Sequence, residues 1–240
     1  MVKVVGIYDS SYEVATVDEC YEYLESLEVI GLDTETEGEF NFRSNLLLLQ
    51  VGNKDVQYVV NCKKVNVYLF KPLLESKLCI IHNAKFDWKF MYIAGIDIKR
   101  IFDTYLAEVI LHTGYNFTDD SNPYYIPTSL KGVVKKYCNY ELDKTVRGII
   151  HSENNSDRVI KYAAEDIEYL EDVMNLQKEQ LVKLNLVDVA SLENKVVRVF
   201  AIMEYNGIKV DKAKWNIVAD VTYKNNKDIE IKLDNILLDE

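Results

Sequence analysis

Apolar and polar positions follow two different periods along this chain, one typical of strands and one of helices. Short apolar runs between turn residues predict strands over Lys3–Tyr8, Val29–Leu32, Leu46–Val51, Val56–Val60 and Leu78–Ile81. Three- and four-residue apolar spacing predicts helices over Thr16–Leu27, Phe70–Leu74, Asn83–Ala94, Asp103–Leu111, Ser129–Tyr137, Asp157–Leu184, Ser191–Tyr205 and from Asp211 onward. This order predicts an α/β fold, a mixed sheet flanked by helices with a C-terminal helical extension.

Charge and composition bear on three questions: nucleic-acid binding, the state of the cysteines and membrane association. The net charge of −11 argues against a passive nucleic-acid binder with a basic face, but not against an enzyme that meets phosphates through bound cations. The four cysteines form no C-x-x-C pair, which favours free thiols in a reducing cytosol. No apolar run is long enough for a membrane span, so we expect no membrane partner.

The first candidate for chemistry is the segment Asp33-Thr34-Glu35-Thr36. Acids two residues apart on extended backbone point to one face, and these follow the apolar strand predicted to end at Asp33. Two like charges at the rim of a buried sheet are costly unless a cation binds there. A metal ligand pair and an ordinary solvated pair both remain open from these residues alone.

Two further pairs have helical spacing. Asn83 and Asp87 follow a buried strand and could belong to a functional site. Alternatively, Asn83 caps the helix and Asp87 is an acid in its first turn, where the helix dipole favours negative charge. Tyr162 and Asp166 lie near the start of the long predicted helix, where a tyrosine at the core edge beside a solvated acid is the plain alternative.

Together the three segments resemble the 3′–5′ exonucleases of the DEDD superfamily, in the tyrosine variant, because no histidine stands five residues before Asp166. The resemblance covers nearly the whole chain. It implies a ribonuclease H-like sheet and two divalent cations, Mg²⁺ or Mn²⁺, held by Asp33, Glu35, Asp87 and Asp166.

The segments Leu192–Val197 and Met203–Asp211 are similar to the passage from proofreading domain to thumb in family A DNA polymerases. This implies an exonuclease domain over residues 1–187 and the start of a thumb over 188–240. We expect a monomer in a bacterial cytoplasm or phage-infected cell, acting on single-stranded DNA or frayed DNA 3′ ends. A polymerase module would lie elsewhere in the same or another chain, since this chain alone is not expected to extend a primer.

Two other functions remain open: an RNA-trimming exonuclease of ribonuclease D type, and a catalytically silent nuclease fold used for binding. The presence of all four acids argues against the catalytically silent fold, because an inactive protein has no reason to keep every cation ligand.

The resemblance also implies a role for each site residue. Asp33 would bridge the cations, Glu35 and Asp166 would complete the first metal site, and Asp87 would support the second cation. Tyr162 would orient the attacking water beside Glu35, because a tyrosine hydroxyl is a poor base at neutral pH. The candidate substrate contacts are Thr34, Thr36, Phe40, Asn83, Tyr124, Tyr125 and Lys131. Basic residues are concentrated in one part of the sequence, and they either contact DNA phosphates or form a solvated face. They are Lys131, Lys135, Lys136, Lys144 and Arg147.

Overall fold

The structure is a computed structural model that describes residues 1–38, 44–113, 126–143, 145–146, 150 and 155–238. The strands are β1 Val2–Val5, β2 Glu13–Val14, β3 Val29–Thr36, β4 Leu46–Gly52, β5 Gln57–Asn61, β6 Leu78–Ile81 and β7 Arg100–Asp103. The first helices are α1 Val17–Ser26, the 3₁₀ helix Val67–Phe70, α2 Lys71–Ser76, α3 Lys85–Ile93 and α4 Thr104–Leu111. The later ones are α5 Leu130–Cys138, α6 Asp157–Glu168, α7 Leu170–Lys183, α8 Val187–Asn206 and α9 Lys212–Leu238.

The strands form one mixed sheet of seven strands in the order β2-β1-β5-β4-β3-β6-β7. Strand β4 runs antiparallel to both β3 and β5, while the other neighbours pair in parallel. The parallel pair of β3 and β6 places the ends of these strands at one edge of the sheet, where the following segments meet. The predicted mixed α/β architecture is confirmed.

Helices cover both faces of the sheet. On one face, Leu24 of α1 and Trp88 of α3 pack against Leu32 and Val51. On the other face, helix α6 crosses β3, β4 and β5 and forms a second layer of the core with Leu48 and Val59. The buried apolar side chains on both faces fix the register, because a slip of one residue would invert every strand position.

Side-chain caps fix two helix starts that the sequence predicts. The Thr16 hydroxyl accepts a hydrogen bond from the Glu19 backbone N–H, and the Glu19 carboxylate accepts one from the Thr16 N–H, which completes a capping box before α1. Ser156 caps α6 through the N–H of Val159. The start of α6 matters for function, since it sets which residues face the sheet.

Some predicted boundaries are wrong. Strand β3 does not end at Asp33 but continues to Thr36, because β4 pairs with it along its polar half as far as Thr36 and Leu46. The single helix predicted to reach Leu184 is two helices that meet at Tyr169, whose ring stacks on Tyr140 at 4.7 Å between centroids. The short strand β2 was not predicted, since Glu13 and Val14 form too short a run to show alternation.

The chain divides into two compact units, Met1–Met203 and Glu204–Glu240. The second unit consists mainly of α9, and many of its apolar side chains are exposed, Trp215 at 65% and Ile217 at 64% among them. None of the helices in the described ranges is both long enough and apolar enough to cross a membrane.

Candidate active site

Strand β3 presents Asp33 and Glu35 on the face of the sheet that α6 covers. Ile30 and Leu32 pack into the core on the opposite face, so the residues between them and after them alternate toward α6. The acid pair therefore lies within a paired strand rather than after its end, and its backbone is held by the ladder with β4.

Helix α6 brings the third acid to this pair. Tyr162 and Asp166 lie on the face of α6 that packs on the sheet and are only 6% and 5% exposed. One carboxylate oxygen from each of Asp33, Glu35 and Asp166 lies within 4.8 Å of the other two. Three carboxylates so close together repel each other unless a cation lies between them, and an all-oxygen set suits Mg²⁺ or Mn²⁺. These residues therefore fit a divalent cation.

Asp87 stands apart from that group of three, on helix α3 at the opposite face of the sheet. Its side chain is buried, and Oδ1 accepts a 2.6 Å hydrogen bond from the Thr34 hydroxyl. Burial raises the pKa of Asp87; the Thr34 hydrogen bond opposes this shift, and the charge of Asp103 adds to it. Thr34, predicted as a substrate contact, thus uses its hydroxyl to hold a site acid.

The segment before α3 is held by an acid that the sequence analysis did not assign to the site. Asn83 has a left-handed backbone with φ of 63°, and the helix that was predicted to begin at Asn83 begins two residues later, at Lys85. The Asn83 and Ala84 N–H groups donate to the two carboxylate oxygens of Asp103 at 2.9 and 2.8 Å. The same carboxylate caps α4 through the N–H of Tyr105 at 2.9 Å. An aspartate as the first residue of the helix predicted over Asp103–Leu111 was the signal for this cap.

A cavity of about 680 Å³ joins these groups. The predicted site residues that line it are Asp33, Thr34, Glu35, Asn83, Asp87, Lys131, Tyr162 and Asp166. Its other lining residues, which the sequence analysis did not assign, are His82, Phe86, Tyr105, Thr128, Ser129 and Leu130. Residues from five separate segments thus converge on one opening, which is roomy enough for a nucleotide.

Some predicted contacts are not part of this cavity. Thr36 is buried in β3 and does not line the cavity; its hydroxyl donates to the Gly38 carbonyl oxygen at 2.7 Å. The predicted stacking residues Phe40, Tyr124 and Tyr125 lie outside the described residues.

The basic residues that the sequence groups together make different contacts in the structure. Lys131 lines the cavity and pairs with exposed Glu141 at 3.7 Å. Lys135 pairs with the same glutamate at 4.0 Å. Lys136 pairs at 2.6 Å with Glu108, which is fully buried, so its charge is used inside the fold. Lys144 and Arg147 lie outside the described residues.

A ribonuclease H-like sheet carrying this acid set defines a hydrolytic nuclease of the DEDD type. The chain belongs to the 3′–5′ exonuclease family, because a family model of that description matches residues 8–181, well over half of its length. The enzyme class and the suspected family are thereby confirmed.

Two curated relatives are similar in sequence. DNA polymerase I of Aquifex aeolicus is 27% identical over 208 residues, covering 78% of this chain and 33% of that protein. Ribonuclease D of Bartonella henselae is 27% identical over 166 residues, covering 67% of this chain and 38% of that protein. The chain therefore spans about a third of the length of these relatives.

Among solved structures, NrnC of Brucella melitensis superposes with a TM-score of 0.69 at 19% identity, covering 86% of this chain and 95% of that one. Further structures of NrnC are described as bound to pGG and to Mg²⁺. At this identity the likeness shows the shared fold.

Proposed function

We propose that this protein removes nucleotides from DNA 3′ ends by hydrolysis with two divalent cations, Mg²⁺ or Mn²⁺. The observation that carries this proposal is the convergence of the Asp33, Glu35 and Asp166 carboxylates within 4.8 Å, beside buried Asp87 in the same cavity. When bound, such cations lower the pKa of water and stabilise the departing 3′ oxygen.

Each acid has a separate task in this proposal. Asp33, Glu35 and Asp166 would hold the first cation, with Asp33 shared between both. Asp87 would hold the second; it is not one of the group of three, and its bond to Thr34 supports a separate role. We also propose that the protein acts as a monomer.

Tyr162 is proposed to orient the attacking water together with Glu35. It lines the cavity one helical turn before Asp166, so its ring shares a face with a proposed cation ligand. A tyrosine hydroxyl keeps its proton at neutral pH, so it donates or accepts a hydrogen bond rather than removing a proton.

One observation bears on the substrate. The match to a DNA polymerase I extends over 208 residues, against 166 for the ribonuclease D, and so reaches further across the chain. This favours DNA and a proofreading role.

We also propose that residues 188–240 form the start of a polymerase thumb, for a polymerase module in the same or another chain. The exposed apolar side chains of α9 are consistent with a surface that such a module covers.

RNA trimming is the second candidate, because the ribonuclease D relative is equally identical at 27%. A single experiment separates the two. Matched single strands of DNA and RNA, labelled at the 5′ or the 3′ end, are incubated with Mg²⁺, with Asp33→Ala as the inactive control. DNA shortened from its 3′ end faster than RNA supports the proposal, whereas faster loss of RNA would replace it with the second candidate.

Proofreading requires that frayed ends react faster than paired ones, because melting a duplex end costs about 1.4 kcal/mol per base step. Equal rates on matched and mismatched 3′ termini would contradict the proofreading role but not the exonuclease activity.

A further inference from the structure

Gln50 lies directly across the sheet from Asp33. The two residues are partners in the antiparallel ladder of β3 and β4, and Val59 of β5 lies on the other side of Gln50. Leu48, two residues earlier in β4, packs with Val59 and Tyr162 in the core layer under α6. Gln50 therefore points to the same face as Asp33, and side chains in such opposed positions have Cβ atoms about 4.5–5.5 Å apart.

The Gln50 side chain is fully buried, yet neither Oε1 nor Nε2 has a hydrogen-bond partner among the described residues. Buried amides are normally paired, and one that is not requires an explanation. Gln57 in the neighbouring strand is equally buried, but its Nε2 donates to the Asn53 carbonyl oxygen at 2.6 Å. Among the described residues, Gln177 also has an unpaired Oε1, but its Nε2 donates to the Thr104 carbonyl oxygen, whereas both polar atoms of the Gln50 amide are unpaired.

We propose that Gln50 is a positioning residue for the cation site, whose Nε2 group donates a hydrogen bond to the Asp33 carboxylate when that carboxylate holds a cation. This inference rests on the proposed function. Carboxylates that bind metals are typically oriented by a hydrogen bond from a neighbouring group. Gln50 is the residue opposite Asp33 in the ladder, which puts its amide beside that carboxylate.

A purely structural glutamine and a positioning glutamine respond differently to substitution. Gln50→Met keeps the length of the side chain and removes the amide. If the amide serves only the cation site, the cation-free protein should unfold at the same temperature or higher, since a buried unpaired polar group has been removed. The affinity for a divalent cation should nevertheless fall by about 10–100-fold.

The test is calorimetric titration of the full chain with Mn²⁺, together with melting temperatures measured in chelator. Gln57→Met is the matched control; it loses a real hydrogen bond, so its melting temperature should fall while its Mn²⁺ affinity stays unchanged. A Gln50→Met protein that binds Mn²⁺ as tightly as the wild type overturns the inference and leaves the proposed function standing. A wild-type protein that binds no Mn²⁺ overturns both.

Poor folding of Gln50→Met in chelator would also count against the inference, because it would show that the amide stabilises the fold itself. Gln50→Leu then serves as a second apolar variant. Loss of folding in both variants assigns Gln50 to the core rather than to the cation site.

Discussion

The Thr34 hydroxyl donates a hydrogen bond of 2.6 Å to Oδ1 of Asp87 and thereby links strand β3 to helix α3. Thr34 stands between Asp33 and Glu35 in sequence, but its side chain points to the opposite face of the sheet. One strand therefore supplies two acids to one face and supports a third acid on the other. The two halves of the proposed cation site are built from alternate positions of a single strand.

Removal of this hydroxyl should weaken the fold. In Thr34→Val the strand geometry is kept, while the buried Asp87 carboxylate loses a donor, which should cost about 1–3 kcal/mol of unfolding free energy. Urea denaturation at pH 8 in chelator measures the loss. Thr36→Val is the control, since the Thr36 hydroxyl donates only to the Gly38 carbonyl oxygen of the same segment. A larger loss in the control than in Thr34→Val would contradict this role for Thr34.

The stability of the cation-free protein should fall as pH rises, because burial raises the pKa of Asp87 to about 7. In the unfolded chain an aspartate releases its proton near pH 3.9, so between that pH and neutrality the folded state binds more protons. Unfolding free energy therefore decreases through this window. Asp103 shows a shift in the same direction, also caused by burial, and adds to the effect.

The variant that tests this pH dependence is Asp87→Asn, which cannot ionise. Its unfolding free energy should change less between pH 5 and pH 8, and at pH 8 it should exceed that of the wild type by at least about 1.4 kcal/mol, the equivalent of one pKa unit. Thermal unfolding in chelator across this pH range is the measurement. Parallel pH profiles for the two proteins would show that Asp87 does not titrate in this window.

Divalent cations should stabilise the protein, because only the folded chain brings Asp33, Glu35 and Asp166 together. At a free cation concentration 100 times the dissociation constant, the gain is about 2.7 kcal/mol. We expect Mg²⁺ or Mn²⁺ to raise the melting temperature, and a chelator to abolish hydrolysis while the protein remains folded. Asp33→Ala should lose the temperature rise. DNA hydrolysis at an unchanged rate in chelator would refute the use of cations.

Sequence patterns predicted the parts of the fold that depend on neighbouring residues. Short apolar runs identified β4 and β6, and the Thr16–Glu19 pair identified the start of α1. The features that the sequence analysis missed depend on distant partners. The left-handed backbone of Asn83 is held by Asp103, twenty residues later in the chain. The polar half of β3 stays in the sheet because β4 pairs with it, which no local pattern reveals.

Substitutions should distinguish the proposed cation ligands from the residue proposed to orient water. Asp33→Ala and Asp166→Ala each remove a carboxylate from the group of three, so water activation and stabilisation of the leaving oxygen should fail together. Both variants should be nearly inactive. Tyr162→Phe keeps the buried ring and deletes only a hydroxyl; loss of one such hydrogen bond typically costs about 10²–10³ in rate, which leaves measurable activity.

Rates on a single-stranded DNA substrate at saturating Mn²⁺ are the measurement, with circular dichroism to confirm that all three variants are folded. Mn²⁺ titration adds a second criterion, since Tyr162→Phe should bind the cation as the wild type does and Asp166→Ala should not. If Asp166→Ala cleaves as fast as Tyr162→Phe and binds Mn²⁺ equally well, Asp166 is not a cation ligand. The approach of α6 to β3 would then require another explanation, because a third carboxylate beside Asp33 and Glu35 would only add repulsion.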